Sequence, residues 1–66
     1  MISNIPKGHV EVQFDELVHE TDMAYLLEIY GQQMWIPKSQ VDDLFEDGEG
    51  NKIIVKEWLA REKGLI

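Results

Sequence analysis

The stretch from Met23 to Ile36 has the fewest ways to fold. Met23-Ala24-Tyr25-Leu26-Leu27-Glu28-Ile29-Tyr30 is apolar at nearly every position, Gly31-Gln32 interrupts it, and Gln33-Met34-Trp35-Ile36 resumes an apolar, aromatic run. Two such runs joined by two residues that begin with glycine predict a hairpin with a type II′ turn, because glycine reaches the positive φ of the first corner without steric cost. Near-continuous apolarity implies that both faces of the first run are covered, as in a central strand. A helix is the rival reading, since Met23, Leu26, Leu27 and Tyr30 also fit helical spacing. Gly31 and the aromatic partner run favour the strand.

Upstream, Val10, Val12 and Phe14 alternate with Glu11, Gln13 and Asp15, the period of a strand with one buried face. The phase slips at the adjacent Leu17 and Val18, which predicts a β-bulge or a strand that bends. Glu20-Thr21-Asp22 supplies turn chemistry. Downstream, Pro37 lacks a backbone donor and ends the third strand, so Lys38-Ser39-Gln40 reads as a tight turn or one turn of 3₁₀ helix. Val41 resumes an extended path. Residues 42–51 hold five acids and two glycines around Leu44 and Phe45, the composition of an exposed acidic loop. Lys52 to Lys56 is a short β-branched strand, and Glu57 to Lys63 a helix with a favourable Glu57 to Arg61 spacing, stopped by Gly64.

The expected fold class is therefore mainly β: a small curved antiparallel sheet, or an SH3-like or OB-like partial barrel, of about four strands with a short C-terminal helix. At 66 residues one core is the limit, so 1–66 is read as a single domain, with 1–8 as a flexible arm. Met1 to Gly8 has no long apolar run, so neither a signal peptide nor a membrane span is expected. The chain has no cysteine, which removes the disulfide staple of small secreted domains and any thiolate site, and fits the cytoplasm.

Candidate chemistry fails on spacing. If Gly48 is set at the sixth position of an EF-hand loop, Phe45 falls where a third-position ligand is needed and Ile54 where the twelfth is. His9 and His19 lie too far apart along an extended strand to share a metal, and a third ligand is missing. Neither Ser3 nor Ser39 sits in a nucleophile elbow. Asp47-Gly48-Glu49-Gly50 surrounds its glycines with acids that repel phosphate. The reading is of no catalytic residue, no metal and no cofactor, hence no enzyme.

What remains is surface. Thirteen acids against six bases give a net charge of −7, which disfavours direct nucleic-acid binding and favours a protein partner with a basic surface. Asp42, Asp43, Glu46, Asp47 and Glu49 concentrate that charge, with Glu11, Asp15 and Glu20 in support. Of Tyr25, Tyr30, Trp35 and Trp58, most are expected in the core. Tyr25 shares a face with Leu27 and Ile29, whereas Tyr30 and Trp35 fall on the opposite one. If that face is uncovered, Tyr30 and Trp35 form an aromatic patch for a protein, for a second copy of the chain, or for stacked bases of single-stranded nucleic acid.

Trp35-Ile36-Pro37-Lys38-Ser39-Gln40 and Glu57-Trp58-Leu59-Ala60-Arg61-Glu62-Lys63-Gly64-Leu65 resemble a recurrent pattern in small proteins of phages and bacterial mobile elements. The resemblance spans about residues 10 to 65. It departs at Lys56, where that group commonly carries proline, so the strand-to-helix junction is expected to be less rigid. The group has no assigned activity, so the resemblance implies context: a phage-encoded, non-enzymatic inhibitor that presents carboxylates to a host defence protein where phosphates would sit. A single-stranded nucleic-acid binder is the alternative.

Overall fold

The alternation of Val10, Val12 and Phe14 makes β1 (His9–Phe14), and the slip in phase marks a real break. At Asp15 the chain leaves one sheet and enters the other as β2 (Glu16–Glu20). Register against the next strand shifts between Leu17 and His19, which leaves Val18 as the extra residue of a bulge and bends the strand. The computed structural model describes residues 5–47 and 50–66. Within them the chain continues as β3 (Ala24–Ile29), β4 (Gln32–Pro37), a 3₁₀ turn (Lys38–Gln40), β5 (Val41–Asp47), β6 (Gly50–Lys56) and α1 (Glu57–Glu62).

Six strands, rather than about four, form two antiparallel three-stranded sheets in the orders β1-β6-β5 and β2-β3-β4. The fold is mainly β with one short C-terminal helix, and it is not a closed barrel. One continuous β1-β2 stretch joins the sheets at one side. At the other the 3₁₀ turn joins β4 to β5, which do not pair, so an open seam separates them.

Two expectations about the hairpins need correction. The β3-β4 turn is Tyr30-Gly31, not Gly31-Gln32, because Ile29 pairs with Gln32. Tyr30 (φ 52°) and Gly31 (φ 79°) both have positive φ, the mark of a type I′ turn and not type II′. Glycine serves the second corner, and a tyrosine is left in a conformation that L-residues avoid. The second correction concerns 42–51, expected as an acidic loop. Residues 41–47 are instead β5, paired with β6 so that Leu44 faces Ile53 and Phe45 faces Lys52. Charge is tolerated there because β5 is an edge strand with one side unpaired, and Val41 and Leu44 supply its contacts to the core. A bulge at Asp42 and the surrounding carboxylates also discourage another strand from adding to this edge.

The core lies between the sheets. Val12 and Phe14 from β1, Ile53 and Val55 from β6, Leu27 and Ile29 from β3, Ile36 from β4, and Leu59 and Ala60 from α1 are all buried. Each such large side chain contributes roughly 1.5–3 kcal/mol on leaving water. α1 packs on β6 and β1. The amide of Gly64 (φ 73°) donates to the Arg61 carbonyl and that of Leu65 to the Ala60 carbonyl, the paired bonds of a Schellman stop. Leu65 then packs back on the core. Part of the segment expected as a flexible arm meets the start of α1. The Glu57 amide donates to the Gly8 carbonyl at 2.9 Å, and the His9 amide to the Pro6 carbonyl at 3.1 Å, so residues 6–9 close a hydrogen-bonded turn. Residues 1–4 of the expected arm lie outside the described residues. Among the described residues no helix is long and apolar enough to cross a membrane.

Candidate interaction surface

Because Tyr25, Leu27 and Ile29 of β3 point into the core, Ala24, Leu26 and Glu28 must point out of it. Register then fixes their neighbours. Leu26 lies opposite His19 on β2 and Trp35 on β4; Glu28 lies opposite Glu16 and Gln33; Ala24 lies opposite Pro37. The imidazole of His19 meets the Trp35 indole edge-on, with ring centroids 6.3 Å apart. Trp35 is 45% exposed, and Val18 is also exposed. α1 packs against the other sheet, so no described element covers this face.

Glu16 and Glu28 sit directly opposite each other across β2 and β3. Like charges so placed are destabilising, and the described ion pairs are Lys38 with Glu20 and Arg61 with Glu57, which leaves neither Glu16 nor Glu28 a counter-cation among the described residues. No Lys or Arg occurs anywhere in β2, β3 or β4. The outer face thus has an apolar centre of Val18, His19, Leu26 and Trp35, with a pair of carboxylates at one end.

The aromatic residues proposed from sequence are only partly brought together. Tyr30 is 84% exposed, but it stands in the turn, outside the alternation, and so does not share the face of Trp35. His19 and Leu26 take its place. Trp58 on α1 is exposed as well, which overturns the expectation that most of these aromatics are core; of the four, only Tyr25 packs against it. The space between the two sheets is filled mostly by Leu, Ile and Val, with Phe14 and Ala60. The signal for the Leu26–Trp35 pair was present in the sequence. A two-residue turn at Tyr30-Gly31 pairs position 26 with position 35, whereas a turn set one residue later misaligns every pair.

Of the acidic residues, Asp42, Asp43, Glu46 and Asp47 are exposed on β5, and Glu49 lies outside the described residues. Glu11 lies in the same row as Asp43, with Ile54 between them. Lys52 and Lys56 alternate with Ile54 along β6, which makes that face mixed in charge. Glu20 belongs elsewhere. Its carboxylate pairs with the Lys38 ammonium at 2.5 Å, and the same ammonium sits 4.9 Å from the Tyr25 ring centroid. The hydrogen bond that the Lys38 ammonium donates to Glu20 is the main cause that raises the Lys38 pKa above its ordinary value. With the Lys38 amide donating to the Met23 carbonyl at 2.8 Å, this clamp ties the end of β4 to the β2-β3 turn. Asp15 is a corner residue, its amide bonded to Glu28 and its carbonyl to the Asn51 side chain.

His9 and His19 are in different sheets. Among the described residues no group of three or more His, Cys, Asp and Glu is placed to hold a metal, and no pocket encloses a small molecule. No protein-family model, curated protein or solved structure matches the chain.

Proposed function

We propose that this chain is a non-enzymatic protein-interaction module that docks a basic partner through the outer face of β2, β3 and β4. The observation that carries the reading is the half-exposed Trp35, braced by His19 and Leu26 on a face that no described element covers. Tryptophan in such a setting is the residue type most enriched among binding hot spots. Glu16 and Glu28 beside it, without a counter-cation among the described residues, and a net charge of −7 select a partner that brings Lys or Arg. The exposed carboxylates of β5 offer such a partner a second contact. The resemblance to phage and mobile-element proteins makes a host defence protein with a nucleic-acid groove the first partner class to try. Single-stranded nucleic acid would also find a stacking surface in Trp35, but the strands of this face bring it no cation to meet phosphate.

Affinity capture from the cells in which the chain is made, run in parallel with two variants, tests this. Trp35→Ala should weaken capture at least tenfold, about 1.4 kcal/mol. Neutralising β5 with Asp42→Asn, Asp43→Asn, Glu46→Gln and Asp47→Asn should flatten the salt dependence of binding. A partner indifferent to both sets of changes rules the proposal out, and retention of bare oligonucleotide in place of protein would establish the nucleic-acid reading.

A further inference from the structure

The edge strands are not equivalent. β2 carries the bulge at Val18, and β5 carries the bulge at Asp42 together with its carboxylates. Both are devices that keep an edge from templating a further strand. β1 has Glu11 near its middle. β4 has neither a bulge nor a charge; its one such device is Pro37 at its very end, which leaves Gln32 to Ile36 open. Gln32-Gln33-Met34-Trp35-Ile36-Pro37 is uncharged, and it pairs with β3 in unbroken register from Gln32 opposite Ile29 to Pro37 opposite Ala24. Among the described residues β4 packs extensively only with β3.

The backbone groups that β4 turns outward follow from parity. In a two-residue hairpin the closing pair, Ile29 and Gln32, is hydrogen-bonded, and bonded pairs recur at every second position. Leu27 with Met34 and Tyr25 with Ile36 are therefore bonded, while Gln33, Trp35 and Pro37 face away from β3. Hydrogen bonds on the far side of β3 agree. The Glu28 carbonyl accepts from the Asp15 amide at 2.7 Å and the Ala24 carbonyl from Thr21 at 2.9 Å, so even-numbered residues of β3 turn toward β2 and odd-numbered ones toward β4. Proline at 37 fits, since the donor it lacks would point to the open side.

We infer that β4 is a strand-addition site for an extended, basic segment of the partner protein. This deepens the docking reading above and rests on it. The segment pairs antiparallel with the outward amides and carbonyls of Gln33 and Trp35. Its residues opposite these two share their face and lie beside the Trp35 ring, within reach across Gln33 of Glu28, with Glu16 one strand further on. Charge complementarity selects the occupant. The strand after the seam, β5, carries exposed acids, and the cation at the end of β4, Lys38, is held by Glu20. A second copy of the chain would bring its own charge of −7 to the same edge, which disfavours self-pairing.

The test uses the full chain and the peptide acetyl-Lys-Val-Lys-Val-Lys-Val-Lys-amide, which carries its lysines on one face and its valines on the other. The peptide should bind, slow amide exchange at Gln33 and Trp35, and quench Trp35 fluorescence. Methylating the lysine amides, which must bond to β4 when the lysines lie on the Trp35 face, should weaken binding at least tenfold; methylating the valine amides should not. Gln33→Pro removes one outward donor without touching the β3 ladder, and it should weaken binding to a similar extent. Equal binding of all the peptides, protection at other strands, absence of binding, or equal binding of the Glu-Val counterpart each overturns the inference. So does a dimer in sedimentation that Gln33→Pro dissociates, which would make the occupant a second copy. A captured partner lost with Trp35→Ala but kept with Gln33→Pro would remove strand addition and leave the docking face standing.

Discussion

Two adjacent leucines test the face assignment on which the candidate surface depends. Leu27 is fully buried on the inner face of β3 between Leu17 and Met34, whereas Leu26 is half-buried on the outer face between His19 and Trp35. Leu27→Ala removes apolar surface from the core and leaves a cavity between packed sheets, a change that costs about 3–5 kcal/mol. At roughly 0.05–0.15 kcal/mol per residue, a chain of this length has about 3–10 kcal/mol of total stability. The variant should therefore lose from about a third to all of the chain's stability. Leu26→Ala forfeits only partial burial, about 1 kcal/mol or less. Urea unfolding followed by tryptophan fluorescence and far-ultraviolet circular dichroism measures both. Costs within about 0.5 kcal/mol of each other, or a larger cost at Leu26, would refute the assignment, because adjacent residues of a strand cannot both face the core.

Three further outcomes are expected. Tyr30→Asn places a residue that tolerates positive φ in the type I′ turn, and should gain up to about 1 kcal/mol, a rise of roughly 4–8 °C in Tm; an unchanged or lower Tm would mean that contacts of the Tyr30 ring offset its backbone strain. Glu28→Lys converts the like-charged pair with Glu16 into an opposite one, so it should stabilise the fold by a few tenths to about 1 kcal/mol while abolishing binding of the basic peptide, read by thermal melts and fluorescence titration. Lys38 has a folded pKa above its unfolded value because Glu20 holds the charged form, so its contribution is complete below the ordinary lysine pKa and is lost as pH rises through the raised one. The stability difference between the wild-type chain and Lys38→Met should accordingly be constant at neutral pH and close in alkaline solution, and a gap independent of pH to the alkaline limit would argue against the clamp.

Features that rest on local period or turn chemistry were legible in the sequence: the alternation in β1, the bulge near Leu17 and Val18, the β3-β4 hairpin, the 3₁₀ turn after Pro37, and the glycine stop of α1. β5 was not, because Asp42, Asp43, Glu46 and Asp47 carry loop composition and become a strand only through β6, whose pairing the local sequence does not announce. The position of the β3-β4 turn was missed by one residue, because a glycine suits either corner and local preference is against a tyrosine at positive φ, which the pairing of β3 with β4 overrides. The binding face was half legible. Trp35 was marked, but its neighbours depend on register, and His19 reaches them only because the bulge at Val18 alters the alternation of β2. Exposure of Trp58 and Trp35 depends on how much volume the two sheets enclose, which no single segment encodes.

The bend at Asp15 gives the molecule an order of assembly. β2, β3 and β4 are neighbours in the chain and close through short turns, whereas β1 pairs with β6, His9 with Lys56 and Phe14 with Asn51, across almost the whole sequence. Closing such a long loop has a larger entropic cost than closing a hairpin. During synthesis the β2-β3-β4 meander can form once Pro37 is free of the ribosome, while Val12 and Phe14 wait for Ile53 and Val55. Loop-closure entropy thus predicts a chain that folds from its middle outward, with β6 locking β1 last.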